Sequence, residues 1–248
     1  MTARILCIGG SDSGGGAGIQ ADVKTITMLG GHAMTAIAAI TAQNTLEVTA
    51  VELISPAMVV AQIDAVLSDI GVDAIKIGMI GSSQIAQAVA TRLAALDVPI
   101  VFDPVMIATS GALLADAATI VAFERLIAVA ALVTPNLPEL EALGGEAALG
   151  VRAKAVLIKG GHGAGDMLTD RLVVAGAEIS RWTDARIHTR HTHGTGCTLA
   201  SGIACGLGQG MTLEAAIDRA RQFVRAALLK TPELGAGAGP MGHGSVIL

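Results

Sequence analysis

The sequence predicts an α/β fold with a central, mostly parallel sheet and helices on both faces. Three observations predict it. Short β-branched runs alternate with longer Ala- and Leu-rich stretches along the 248 residues. The strand candidates read as apolar runs, as strands buried on both faces do. Most end in a Gly- or Pro-containing turn, and polar residues (Asp12, Gln43, Asp103, Asn136, Glu139, Lys159) collect at or just past those ends. In an open α/β sheet, ligands bind at that carboxyl edge.

In chain order, residues 5–8 read as a strand closing at Gly9-Gly10, and residues 19–29 as a helix ended by Gly30-Gly31. Residues 33–40 are strand-like, with Thr41-Ala42-Gln43-Asn44 beyond. Ser55-Pro56 starts a helix, with Val59, Ile63, Val66 and Leu67 at helical spacing. Further strands are predicted at 74–77, 100–103, 131–134 and 156–159, and helices at 84–96 and 138–143. Neither linker nor low-complexity tract interrupts the pattern, so a single domain over residues 1–248 is expected.

A 52% hydrophobic chain of this length can bury a sizeable core. Its net charge of −5 and lack of Lys/Arg clusters argue against nucleic acid, and 2% aromatic residues offer few stacking platforms. Three cysteines make no disulfide framework, and Cys7 and Cys205 read as small core residues. No apolar stretch reaches membrane-spanning length, and the N-terminal run is too short for a secretion signal. A cytoplasmic protein without a membrane partner is expected.

The chemistry concentrates at His193-Gly194-Thr195-Gly196-Cys197-Thr198, a glycine loop turning directly into an apolar helix. Unpaired N–H groups and the positive end of the helix dipole make such a start an anion site. The same field should lower the pKa of the Cys197 thiol. His188, His191, His193 and Cys197 are close enough in sequence to raise zinc, but a glycine loop suits rigid ligation poorly. A second reading has His193 activating Cys197 as a nucleophile. Gly9–Gly18 is a glycine-dense strand-to-helix turn matching neither a P-loop nor a dinucleotide fingerprint. Asn136-Leu137-Pro138-Glu139 can organise Mg²⁺ beside phosphates, or simply form a helix capping box.

Seven segments, in order, resemble the hydroxymethylpyrimidine/phosphomethylpyrimidine kinases of thiamine biosynthesis. They are the runs at 9–22, 41–45, 76–79, 103–106, 134–139, 159–162 and 192–198, spread over nearly the whole chain. The resemblance implies a ribokinase-like fold, ATP and Mg²⁺ as cofactors, a small pyrimidine substrate phosphorylated twice, and a homodimer. By position it implies a pyrimidine pocket of Gly10, Asp22, Gln43, Met79 and Val105. It makes Gly194, Thr195 and Gly196 the anion hole and puts Cys197 where sugar kinases of this fold carry an aspartate base. Lys159 would face the phosphates, with Asp103, Asn136 and Glu139 on the ATP and metal side. The nearest rival is pyridoxal kinase of the same fold. Its members that resemble this family often carry a lid cysteine, which the lid candidate Ile107-Ala108-Thr109-Ser110-Gly111 lacks. A non-catalytic pyrimidine-binding protein is the remaining alternative; it would need none of the phosphoryl-transfer set.

Overall fold

The computed structural model describes residues 2–162 and 165–247. Its strands form one nine-stranded sheet. The first strand, β1 (Arg4–Asp12), feeds α1 (Gly18–Met28) and then β2 (His32–Gln43), which pairs parallel to β1. β3 (Val48–Leu53) turns back antiparallel on the outer edge of β2. The chain then alternates through α2 (Pro56–Asp69), β4 (Ala74–Ile77), α3 (Ser83–Leu93), β5 (Ile100–Phe102), α4 (Ala117–Val129), β6 (Leu132–Val133), α5 (Leu137–Ala142), α6 (Gly145–Arg152) and β7 (Ala155–Ile158). An antiparallel pair, β8 (Met167–Val174) and β9 (Ala177–Ala185), extends the far edge. α7 (Thr195–Gly208) and α8 (Leu213–Leu228) follow.

The sheet order is β3-β2-β1-β4-β5-β6-β7-β8-β9, with the six strands from β2 to β7 parallel. Connections leave β1 toward β2 on one side and toward β4 on the other. The crevice between β1 and β4 is therefore the topological switch point, where ligands bind in such sheets.

Successive side chains of β1 divide between two cores because a strand alternates its faces. Ile5 and Cys7 pack with Ile26 of α1, Leu199 and Ile203 of α7, and Ile217 of α8. Leu6 and Ile8 pack on the opposite face with residues of α2 to α6, including Val59, Ile85 and Phe123. Phe102 and Phe123 meet edge to face, 5.1 Å between centroids. α7 and α8 approach closely because their contact is built from small residues. A Cβ on Gly202 would lie 2.9 Å from that of Ala220, and one on Gly206 would lie 2.7 Å from that of Ala216.

The predicted core elements are present with shifted ends. β1 continues through the first glycines to Asp12, so the turn proper is only Ser13–Ala17, and β2 runs on to include Gln43. The predicted strand at 131–134 shrinks to Leu132–Val133. The edge strands β3, β8 and β9 and the helices α4, α6 and α8 were not among the predicted elements.

Candidate active site

Asp12 closes the loop that follows β1. Its Oδ1 accepts the Gly14 N–H at 2.8 Å, and its Oδ2 accepts those of Gly16 and Ala17 at 2.9 and 2.8 Å. His193 Nε2 lies 2.9 Å from the same Oδ2. Burial pushes the Asp12 carboxyl up, but the His193 and backbone hydrogen bonds outweigh it and hold the group below its usual range. The glycine loop is thus wound around a buried anion.

The second loop sits on the first. Gly194 caps α7 at φ +87°, and a Cβ there would run into the Gly16 carbonyl oxygen, so only glycine fits. Thr195, Gly196 and Cys197 then form the first turn of α7, with their N–H groups at the positive end of a 14-residue helix. A Cβ on Gly196 would be 3.3 Å from Asp103 Oδ2 and 3.4 Å from Lys159 Nζ. The anion-binding turn therefore abuts the polar groups at the ends of β5 and β7.

Those groups form one cluster. Asp103 Oδ1 accepts from Lys159 Nζ at 2.7 Å and from Thr134 Oγ1 at 3.0 Å, and Glu139 Oε2 lies 3.9 Å from the same ammonium. Burial opposes the Lys159 charge, but Asp103 and Glu139 outweigh it and keep the pKa above that of ordinary lysine. Glu139 is driven the other way: burial lifts its carboxyl to about 7, with Asp103 adding to the rise and Lys159 resisting it. Asn136 forms the capping box that the sequence offered as one of its two readings. Its Oδ1 accepts the Glu139 N–H at 2.9 Å while Glu139 Oε2 accepts the Asn136 N–H at 2.8 Å, a capping box that occupies the amide oxygen. The carboxylates beside the Lys159 ammonium, those of Asp103 and Glu139, are oxygen donors of the kind a hard cation takes. They suit Mg²⁺ that is also held by phosphate oxygens and water. Among the described residues no group of three or more His, Cys, Asp or Glu side chains could hold a metal ion without such help.

Cys197 also departs from expectation. The helix field does not prevail: burial raises the half-buried thiol to about 11, although the Lys76 ammonium pulls in the opposite direction. Nor is His193 available to activate it. His193 Nε2 faces Asp12 and also lies 3.1 Å from Gln43 Nε2, and its Nδ1 is 3.2 Å from Thr109 Oγ1. The clustered histidines have separate neighbours: His188 pairs with Asp166 at 3.7 Å, and His191 accepts from Arg190.

On the substrate side, Gly10 and Met79 are in contact across the β1–β4 crevice, where a Cβ on Gly10 would come within 2.6 Å of Met79 Sδ. Gln43 stands at the end of β2, its Oε1 accepting from Thr41 Oγ1 at 3.2 Å, and Val105 lies half-buried beyond β5. Asp22 is placed differently from the expectation. It is fully buried on α1, its oxygens engaged by Lys76 Nζ at 2.8 and 2.9 Å and its Oδ1 also by Ser201 Oγ at 2.6 Å. The lid candidate forms a short turn over this side, closed by an antiparallel bridge between Ile107 and Leu113 and touching His193 through Thr109. Lys76, Asp12 and Thr134 were not among the predicted site residues. Each lies within one of the seven segments, and Asp12 carried a further signal as an acid at a strand's carboxyl end.

A glycine-bounded helix start beside a lysine–carboxylate cluster, at the switch point of such a sheet, defines a phosphotransferase of the ribokinase-like fold. The chain belongs to the phosphomethylpyrimidine kinase family, whose model matches residues 12–242. It is 46% identical to the hydroxymethylpyrimidine/phosphomethylpyrimidine kinase of Rhizobium meliloti, covering 98% of this chain and 97% of that one. It is 44% identical to the protein of the same description from Streptomyces coelicolor, covering 97% and 94%. Among solved structures, the phosphomethylpyrimidine kinase of Clostridium difficile superposes with a TM-score of 0.79 at 36% identity, covering 92% of this chain and 100% of that one. An ADP complex of Bacillus subtilis pyridoxal kinase gives 0.89 at 29% identity, covering 99% and 98%.

Proposed function

We propose that this kinase uses ATP and Mg²⁺ to phosphorylate the alcohol of an amino-hydroxymethylpyrimidine, and then the resulting monophosphate to the diphosphate, within thiamine biosynthesis. The observation that carries the reading is the contact between the α7 turn and the Asp103–Lys159–Glu139 cluster. It brings an anion hole, a fixed cation and metal-binding carboxylates to one point. Phosphoryl transfer through a loose transition state needs positioning and charge neutralisation more than covalent help. The N–H groups of Gly196 and Cys197 face the transferring group, that of Thr195 donating to the Thr192 carbonyl, and Lys159 offsets its charge from the side. Bound Mg²⁺ would neutralise phosphate charge next to Asp103 and Glu139. Cys197 takes the proton of the substrate hydroxyl, or orients it, in the first step. In the second step the acceptor is already an anionic phosphate, and the thiol matters less.

Gln43 reads the ring, because a carboxamide can donate and accept at once along the edge of an aminopyrimidine. Pyridoxal does not present that edge, so drawing the amide away from Thr41 and His193 toward it would go uncompensated, at a cost of roughly 1–3 kcal/mol. Mass spectrometry of the products should show the monophosphate and then the diphosphate. Gln43→Leu should lower kcat/KM for the pyrimidine by about ten- to a hundredfold while changing any pyridoxal turnover little. Persistent monophosphate with excess ATP would overturn the two-step reading. A wild-type preference for pyridoxal would move the activity to that ring.

We assign the working unit to one domain over the whole chain, acting in the cytoplasm as a homodimer. Among the described residues no helix is long and apolar enough to cross a membrane. The β2–β3 edge exposes Val51 and Leu53 on one face and Ile40 on the other, apolar groups that a second copy seated on this edge would cover. Light scattering should therefore return twice the 24.8 kDa chain mass. A monomer at all concentrations would remove the assignment.

A further inference from the structure

The chemistry above leaves unused the segment that follows α8, which runs back across both site loops. The Gly237 N–H donates to Thr45 Oγ1 at 3.2 Å, two residues past Gln43, and the Gly239 carbonyl accepts from the His193 N–H at 3.2 Å. A Cβ on Gly237 would lie 2.1 Å from the Thr45 carbonyl oxygen, so the backbones touch there. Met241 and Val246 anchor the segment against Phe223 and Ala227 of α8. Between these anchors a 3₁₀ turn (His243–Ser245) carries His243 inward, 2% exposed, to the first turn of α7.

His243 Nε2 is 2.8 Å from Thr198 Oγ1, and its Nδ1 is 3.3 Å from the Met241 carbonyl oxygen. A carbonyl only accepts, so Nδ1 keeps the ring proton and Nε2 is left to accept from the Thr198 hydroxyl. Burial holds the imidazole below its usual pKa, which keeps that lone pair free of a proton at neutral pH. Thr198 is fully buried and follows Cys197 directly. Its N–H closes the first turn of α7 on the Gly194 carbonyl at 2.9 Å. The local acceptor for a helical threonine hydroxyl is the carbonyl four residues back, here that same Gly194 oxygen, and such back-bonding bends a helix. His243 draws the hydroxyl away from it.

We propose that His243 is a positioning residue for phosphoryl transfer. By accepting the Thr198 hydroxyl it keeps the first turn of α7 unbent, so that the Gly196 and Cys197 N–H groups converge on the transferring group. The proposal rests on the reading of that turn as the anion hole. His193 and Gly194 fix where the turn begins, on Asp12 and the Gly16 backbone, and Thr198 on His243 fixes where it ends.

His243→Leu removes the acceptor at similar volume and leaves a buried hydroxyl to turn back on Gly194. The kcat of both phosphorylations should fall about tenfold or more, with the KM for the pyrimidine little changed. Adding Thr198→Val removes the hydroxyl as well and should restore most of the lost kcat, a recovery that a mere loss of packing would not give. The backbone amide NMR resonances of Gly196 and Cys197 read the turn with no substrate present. They should move in His243→Leu and return in the double variant. Unmoved resonances, or a double variant no better than the single one, overturn the proposal. Should His243→Leu fail to fold, as a thermal melt would show, His243→Gln and His243→Asn take its place. The Gln amide reaches where Nε2 stands and the Asn amide falls short, so Gln should keep the wild-type kcat and Asn should lose it. Equal rates in that pair refute the brace. Wild-type protein inactive on the pyrimidine would remove the proposed reaction instead, and the amide resonances would still decide whether His243 shapes the turn.

Discussion

Replacing Cys197 with alanine is expected to slow phosphorylation of the alcohol about a hundredfold or more, the usual scale for loss of a positioned proton acceptor. Phosphorylation of the monophosphate should slow much less. The asymmetry follows from the acceptors, since the alcohol must lose a proton as it attacks and the phosphate oxygen is already anionic. The raised thiol pKa adds a second signature. With a value of about 11, the thiolate is scarce at neutral pH and lost further as pH falls. Its fraction grows about tenfold per pH unit on the way up. The alcohol step in the wild type should climb with pH through the neutral range, whereas the Ala variant should be flat there. Quenched-flow measurement of both steps from pH 6 to about 9.5 reads slope and magnitude together. Equal losses in the two steps would mean that Cys197 acts on the phosphoryl group or on folding.

The second large effect is at Lys159. Lys159→Met should lower both phosphorylations by about a hundred- to a thousandfold, because the charge it offsets develops in each transition state. The same change leaves Asp103, only 1% exposed, without its cation. Breaking a buried pair from one side costs about 3–5 kcal/mol, so the variant should also melt earlier. Adding Asp103→Asn should recover part of the melting temperature and none of the activity. Full recovery of activity in the double variant would make Lys159 a structural residue.

The parallel core was legible because strands covered on both faces are written as short apolar runs, as at Ile100–Phe102 and Ala155–Ile158. The edges were not. β8 and β9 interleave Asp170, Arg171, Glu178, Arg181 and Asp184 with their apolar residues, so neither reads as a buried strand. α8 carries a plain helical stripe, Ala216-Ile217-Ala220-Phe223-Ala227, which a search for continuous apolar runs passes over. At the site, residue types were visible and partnerships were not. His193 and Asp12 are 181 positions apart, and Lys76 and Asp22 are 54 apart. No local spacing announces either pair. Cys197 shows the same limit in electrostatics: the helix dipole can be anticipated from sequence, but the burial that outweighs it depends on what packs above and around the turn.

The close seat of α7 on α8 gives the anion turn a mechanical boundary condition. Gly202 lies seven residues into α7, about 10 Å along its axis from Thr195. A helix is stiff over that span, so whatever displaces it at Gly202 or Gly206 carries the first turn along. Phosphoryl transfer tolerates little such error, because misplacement by about 1 Å can cost two orders of magnitude in rate. Two positions that never meet a substrate are therefore held to hydrogen as their side chain as firmly as Gly194. Drift in the catalytic geometry is checked from behind, by the absence of a methyl group.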